Sequence, residues 1–275
     1  MSDAKQFNIG GIPIMMKDAA ARERLNEMDN NAYRSRNGAY LHLTDLGTSY
    51  TQELKEDIVS GTFKKAVVGG YLTINEHVYY LAHPDYWLNT GDTPCTTHHM
   101  VVVPAPNLVT EQMHKTASGQ YESGAANTTE GGYIGSDMKK AGGGLEQIKA
   151  IIQADFGAAN ILTHRELFVN AVTNGKPSNH AWYDSDIDLM NEPMVYGSYI
   201  FTPACDGTTI SYRYTIDKSQ LALFALRPDL ICNRATWWLR DVVSGADFAY
   251  VNSDGNANCN SASYPFGVRP AFGIC

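Results

Sequence analysis

The residues of this chain best suited to chemistry are its 8 histidines and 5 cysteines, and their spacing gives them little to work with. His98 and His99 are adjacent. Neighbouring side chains on an extended strand point to opposite faces, so the pair cannot close on one ion without a bend, and a structural role is the better reading. Cys95, Cys205, Cys232, Cys259 and Cys275 are odd in number, widely spaced and lack a C-x-x-C pair, which argues against a disulfide framework and a structural zinc alike. Asp184, Asp186 and Asp188 begin like a calcium loop, but Leu189 and Val195 stand where such a loop needs Gly and Glu. These acids read instead as openers of a helix or turn. No G-x-S-x-G, H-E-x-x-H, P-loop or G-x-G-x-x-G run occurs, and with this many His and Cys a chance coexistence of the two is expected. The expectation is a protein that is not an enzyme and takes no metal or cofactor.

The informative stretch is the C-terminal one, about 237–272. Trp237, Trp238, Leu239 and Phe272 supply large apolar anchors, and Arg240 and Arg269 can hydrogen-bond carbonyls of neighbouring loops and hold irregular backbone in place. Between them the composition changes: from Asp241 to Phe266 there is no Lys, Glu, Gln, Met or Trp, all of which occur elsewhere in the chain. The residues that do occur there are Asn, Ser, Asp, Cys, Tyr, Pro, Phe, Gly, Ala and Val. Each is reachable from an Asn codon by changing only its adenines. A polar loop accounts for Asn, Ser, Asp and Gly, whose side chains satisfy local backbone groups, but not for Cys259, Tyr264, Pro265 and Phe266 at a surface.

These residues need a scaffold. Leu72, Ile74, Val78 and Tyr80 fit two short alternating strands around a turn at Asn75 and Glu76, and Met100 to Val103 reads as a short buried strand. Lys115 to Gly132 reads as a loop or soft joint. Leu145, Ile148, Ile152 and Phe156 recur at helical spacing and Gly157 stops that helix. Thr163 to Glu166 matches a capping box, so the following ELFVNAV is expected to be a second helix, ended at Asn174-Gly175. Short apolar runs beyond Asp184, such as VYGSYIF, TISYRYTI and LALFAL, suggest small strands on long loops. The expected class is α+β, two helices beside small antiparallel sheets. Residues 1–60 carry most of the charge clusters and are expected to be an attachment or oligomerisation segment preceding a domain over 61–275.

With 275 residues, 44% hydrophobic and 18% charged, the chain can bury a sizeable core. A net charge of −8 argues against a general grip on nucleic acid or an anionic membrane. No apolar run approaches the length a bilayer needs and the N-terminus lacks a signal-peptide core, so cytosolic synthesis without membrane insertion is expected.

The C-terminal motifs resemble the variable proteins of diversity-generating retroelements, whose C-type-lectin-like domains end in a similar pattern. The matching residues are Trp237-Trp238-Leu239-Arg240, Phe248-Ala249, Val251, Gly255, Ala257, Ala262-Ser263 and Gly267-Val268-Arg269-Pro270. Upstream, Leu189 to Ser198 and Gln220 to Arg234 look like the segment preceding the variable region in phage and prophage members. The resemblance implies that an error-prone reverse transcriptase rewrites adenines in this part of the gene while the fold holds one binding face. The ligand-binding residues it implies are Asp241, Val242, Val243, Gly245, Ala246, Asp247, Tyr250, Asn252, Ser253, Asp254, Asn256, Asn258, Cys259, Asn260, Ser261, Tyr264, Pro265 and Phe266. It further implies a receptor-binding phage-tail component, a homotrimer in a virion or in host cytoplasm before assembly, recognising a protein or glycan on a bacterial surface. Glu192-Pro193-Met194 departs from the E-P-N motif of calcium-dependent lectins, so no calcium-dependent sugar site is expected. The alternatives are a relative of the formylglycine-generating oxidases, which share the fold, or a static lectin-like virion protein.

Overall fold

The computed structural model describes residues 5–9, 12–16, 43–106, 108–114, 127–201 and 220–275. The chain divides into two units, Met1–His42 and Leu43–Cys275. In the first, β1 (Lys5–Ile9) and β2 (Ile12–Met16) form an antiparallel hairpin.

The division falls at 42/43 and not at the expected 60/61, because residues 43–60 pack into the larger unit. Helix α1 (Gln52–Val59) is started by Thr51, whose hydroxyl accepts the Leu54 N–H at 3.3 Å, and it buries Leu54 and Ile58. Lys55 Nζ reaches Asn160 Oδ1 at 2.6 Å, and the Tyr50 ring lies 5.9 Å from that of Phe156.

The larger unit is mixed α and β. A six-stranded sheet runs in the order β10 (Ile187–Leu189), β15 (Pro270–Ile274), β6 (Met100–Pro104), β5 (His77–Pro84), β4 (Gly70–Ile74), β3 (Thr44–Asp45). Only β3 and β4 pair in parallel. The β4–β5 hairpin turns at Asn75 and Glu76, with φ of 48° and 68°, the doubly left-handed turn that matches strand twist. After the one-turn helix α2 (Gly132–Gly135), helix α3 (Gly144–Phe156) lays Leu145, Ile148, Ile152 and Phe156 on the core, with Phe156 edge-on to Tyr79 and Phe272 at 4.9 and 5.3 Å. Gly157, at φ 81°, ends it.

The second expected helix is a strand. Residues after Thr163 form β8 (His164–Thr173), paired along its length with β9 (Lys176–Ser185). His164, Glu166 and Phe168 are buried while Arg165 and Leu167 are not, a period of two that suits a half-covered ribbon. Asn174 and Gly175, at φ 53° and 73°, make the hairpin turn where a helix stop was expected. The run LALFAL, expected as a strand, contains α5 (Ala222–Leu226), and VYGSYIF contributes Val195 and Tyr196 to α4 (Glu192–Tyr196). The run TISYRYTI and most of the Lys115–Gly132 joint lie outside the described residues, but Thr129 is buried and its hydroxyl donates to Ser244 O at 2.7 Å.

A five-stranded sheet carries the C-terminal motifs. Its order is β13 (Ala257–Ser261), β12 (Asp247–Val251), β11 (Trp237–Val242), β14 (Phe266–Gly267), β7 (Thr110–Glu111). Trp238, Val242 and Phe248 join the core that holds α3, while Trp237, Leu239, Ala249 and Val251 join a second core with Phe224 and Trp87. All six residues of β11 are buried, as expected of a strand covered on both faces.

Candidate ligand-binding face

Two buried arginines hold the backbone around this sheet. Arg240 donates to Leu189 O at 3.0 Å and to Glu166 Oε1 at 2.8 Å, over the Phe168 ring. Arg269 donates to Pro104 O and Leu230 O, both at 2.9 Å, and lies between the rings of Trp237 and Phe224. Burial lowers the Arg269 guanidinium to about 9. The accepting carbonyls are not the loop carbonyls expected: Leu189 ends β10 and Pro104 ends β6, while Leu230 closes a 3-10 turn, so the arginines tie strand ends and that turn to the sheet.

Directly opposite residues in antiparallel strands share a face, so the register sorts the candidates. Tyr250 stands opposite Trp238 on one side and Asn258 on the other, and Phe248 stands opposite Asn260. An aromatic cluster covers this side: Phe266 lies 4.7 Å from both Trp238 and Tyr250, and Tyr264 lies 6.1 Å from Phe266. Tyr264 is 45% exposed; Pro265 is exposed, and Tyr250 and Phe266 are half-buried. Asp247, Cys259 and Ser261 alternate to the other side, where Asp247 accepts hydrogen bonds from Ser244 Oγ at 2.8 Å and Ser261 Oγ at 3.4 Å. Val243 and Ala246 are half-buried and Gly245 is exposed in the turn before β12.

The β12–β13 turn gathers Asn252, Ser253, Asp254 and Asn256. Asn252 Oδ1 accepts the N–H groups of Asp254 and Asn256 at 3.0 and 2.9 Å, so this candidate spends its carbonyl on shaping the turn. Ser253, Asp254 and Asn256 are exposed. Gly255 has φ 82°, and a Cβ there would stand 2.9 Å from the Cys232 backbone, so position 255 belongs to the scaffold.

Asp241 and Val242 do not belong to the face. Val242 is fully buried, and Asp241 accepts the Glu192 N–H at 2.6 Å from inside the fold. Burial, with the Glu192 carboxylate nearby, raises Asp241 to about 7. A carboxyl whose pKa is higher folded than unfolded takes up a proton on folding, so its contribution is full at low pH and is lost between about pH 4 and 7. Asp241→Asn should remove that loss: the difference in urea-unfolding free energy between wild type and variant should shift in favour of the variant as pH rises through this window.

Glu192, read in the sequence only as the start of a departed E-P-N motif, has a structural role that the sequence did not show. Its carboxylate accepts the N–H groups of Ile200 and Phe201 at 2.9 and 3.0 Å, fixing a loop whose two apolar side chains are 52% and 42% exposed. No local signal marks it, because the loop follows Gly197 without a repeat or alternation. Burial is the main cause raising the Cys259 and Cys275 thiols, which disfavours the reactive thiolate at both.

The histidine pair and the acidic run have structural partners. His99 Nε2 accepts the Trp87 N–H at 3.0 Å, whereas His98 Nδ1 faces Asp85 Oδ2 at 2.7 Å. Asp184 lies in β9 and Asp188 in β10, which corrects their reading as helix or turn openers, and they pair with Arg165 and Lys139; Asp186, between the strands, pairs with Lys149 and accepts the Ile187 N–H at 2.6 Å. Among the described residues no group of three or more His, Cys, Asp or Glu is placed to hold a metal ion, and no helix is long and apolar enough to cross a membrane.

A family model described as a domain of unknown function, DUF6273, matches residues 185–275. The matched segment runs from the end of β9 to the C-terminus and contains β11 to β15, Arg240, Arg269 and the whole candidate face. Neither the curated proteins nor the solved structures yield a match.

Proposed function

We propose that the larger unit is a C-type-lectin-like ligand-binding domain whose face is diversified by a retroelement, serving a phage or prophage tail in recognising a protein or glycan on a bacterial surface. One observation carries the reading. The residues of the C-terminal motif are buried at Trp237, Trp238, Leu239, Arg240, Phe248, Ala249, Val251, Ala262, Ser263, Val268, Arg269 and Pro270, while the intervening candidates from Val243 to Phe266 all reach the surface in whole or part. Gly255 and Ala257 are half-buried exceptions within the motif. A rigid strand lattice under replaceable side chains is what a face open to many sequences requires. Tyr250, Tyr264 and Phe266 supply large, stiff aromatic contact area, and the Asn and Ser positions supply adaptable hydrogen bonding.

A face made without contact-by-contact optimisation binds weakly in one copy, so the reading includes a homotrimer held by residues 1–42 that presents several faces together. Cytoplasmic synthesis followed by virion assembly completes it.

An array of purified bacterial surface proteins and glycans tests the binding function. Tyr264→Ser with Pro265→Ala should abolish binding of whatever the wild type retains, while Tm changes by no more than about 4 °C, since each exposed substitution costs within about 0.5 kcal/mol. Binding that survives this change and a wholesale exchange of positions 250–266 other than the buried ones would overturn the face. Sequencing the gene locus tests the diversification: a nearby repeat matching the 241–266 codons except at adenines is expected, and its absence leaves a static binding domain.

A further inference from the structure

We propose that the cleft between the β5–β6 loop and the open end of the β8–β9 ribbon is a second binding site, one that takes a single neutral sugar unit. The cleft encloses about 430 Å³, walled by Thr93 to Thr97 on one side and by Thr163 to Arg165 with Asp184 on the other. That volume suits one small ligand. His164 is the reason to expect an occupant. Its side chain is almost wholly buried, its ring is stacked on Trp87 at 3.9 Å, and its Nε2 stands 3.2 Å from Glu166 Oε2. The Glu166 carboxylate, held by Arg240, accepts the Nε2 hydrogen. Nδ1 is buried with no hydrogen-bond partner in the protein. Such an atom costs free energy until a group meets it, and His164 lines the cleft from which that group would come.

The other walls select the ligand. Nδ1 accepts a hydrogen bond when the ring is neutral and donates one when it is charged, and a hydroxyl answers both states. Thr93, Thr96, Thr97 and Thr163 are exposed and add hydroxyls that donate and accept in the same way. The only cation of the wall, Arg165, is already engaged: Nε and Nη2 donate to Asp92 at 2.8 and 3.1 Å, and Nη1 donates to Asp184 at 2.9 Å. Two carboxylates on one guanidinium leave the rim negative, which disfavours an anionic ligand. Apart from His164 no aromatic side chain lines the cleft, so a flat apolar ligand has nothing to stack on. What these groups recognise together is neutral and rich in hydroxyls.

The walls are set before anything binds. The Asn89 N–H donates to Cys95 O at 2.7 Å and the Cys95 N–H to Thr90 O at 3.0 Å, closing the loop on itself. Gly91, at φ 111°, lets that loop seat on Arg165, since a Cβ there would stand 2.7 Å from Arg165 Cβ. The site shares no residue with the face over 241–266. At the other end of the ribbon, a Cβ on Gly175 would stand 3.0 Å from Gly245 N, and ten-residue strands put roughly 30 Å between the two ends. The inference therefore does not rest on the proposed function.

The test is isothermal titration calorimetry of the full chain with glucose, galactose, mannose and N-acetylglucosamine, each to about 50 mM. At least one should bind with a dissociation constant of order 1 mM, and the His164 Nδ1 resonance of protein labelled with ¹⁵N-histidine should move as it saturates. The 6-phosphate of that sugar should bind more weakly. T96V/T163V, which removes two exposed hydroxyls, should weaken binding roughly fivefold at unchanged Tm, and H164F roughly tenfold. Y264S/P265A should bind the sugar as wild type does, which separates a failure here from a failure of the face. No heat from any of the four sugars, with Nδ1 unmoved, would overturn the proposal and leave only water in the cleft. So would tighter binding of the phosphate, or sugar binding that survives both T96V/T163V and H164F. If H164F does not fold, T96V/T163V alone gives the decision.

Discussion

Replacing Trp238 by alanine is expected to lower the stability of the larger unit by roughly 3–5 kcal/mol, seen as a fall in Tm of about 6–20 °C. The side chain is fully buried in the core that holds α3, and its Nε1 donates to Glu111 O at 3.0 Å, joining β11 to β7 across β14. Its ring also supports the face, lying 4.7 Å from Phe266 and 6.1 Å from Tyr250. Truncation therefore leaves a cavity, removes the Nε1 hydrogen bond to Glu111 O and takes the floor from two aromatic side chains. Trp238→Phe separates these effects, because it keeps most of the ring and loses the N–H. Its cost should fall to about 1–2 kcal/mol. A Tm for Trp238→Ala within 2 °C of wild type in scanning calorimetry would show that this ring does not hold the sheet.

Arg240→Met should cost a comparable amount, about 3–5 kcal/mol, for an electrostatic reason. Glu166 is buried, with one carboxylate oxygen on Arg240 at 2.8 Å and the other 3.2 Å from His164 Nε2. Removing the guanidinium leaves that carboxylate without its closest cation and also frees the Leu189 carbonyl, through which β10 is tied to β11. Arg240→Met combined with Glu166→Gln should recover much of the stability at neutral pH, since breaking such a pair from one side costs more than replacing both partners. Urea unfolding of the two single variants and the double variant completes the cycle, and strictly additive losses would show that the two residues act independently.

Some of this was legible in the residues themselves. The 3.6-residue spacing of Leu145, Ile148, Ile152 and Phe156 specifies α3, and alternation around Asn75-Glu76 specifies the β4–β5 hairpin. In both cases a periodic apolar pattern and its terminating residue agree, so local preference and burial point the same way. Trp237, Trp238 and Phe272 were legible as buried anchors for a similar reason, since rings of that size find few other places in a folded chain.

Where one local signal suits two structures, the sequence alone could not decide. Thr163 to Glu166 has the form of a capping box and Asn174-Gly175 that of a helix stop, yet the same Asn-Gly pair makes a hairpin turn once Lys176–Ser185 lies alongside as β9. Pairing with β9, which the Asn-Gly turn folds straight back alongside, supplies the backbone hydrogen bonds that a helix would have made for itself, and burial of His164, Glu166 and Phe168 on one side of the ribbon favours that arrangement. The membership of residues 43–60 was likewise settled by contact, because α1 covers a core whose other residues come from far along the chain.

Composition marked 241–266 as unusual, and the family resemblance implied that the motif residues are scaffold. Neither could separate Asp241 and Val242 from the face, because a buried carboxylate and an exposed one have the same letter in the sequence. Burial of β11 on both sides decided that point: its side chains meet one core or the other, so Asp241 reaches the Glu192 N–H and not solvent. Register decided the rest, placing Tyr250 and Asn258 on one side of the sheet and Cys259 on the other, since alternate residues of a strand face opposite ways once its partner is fixed.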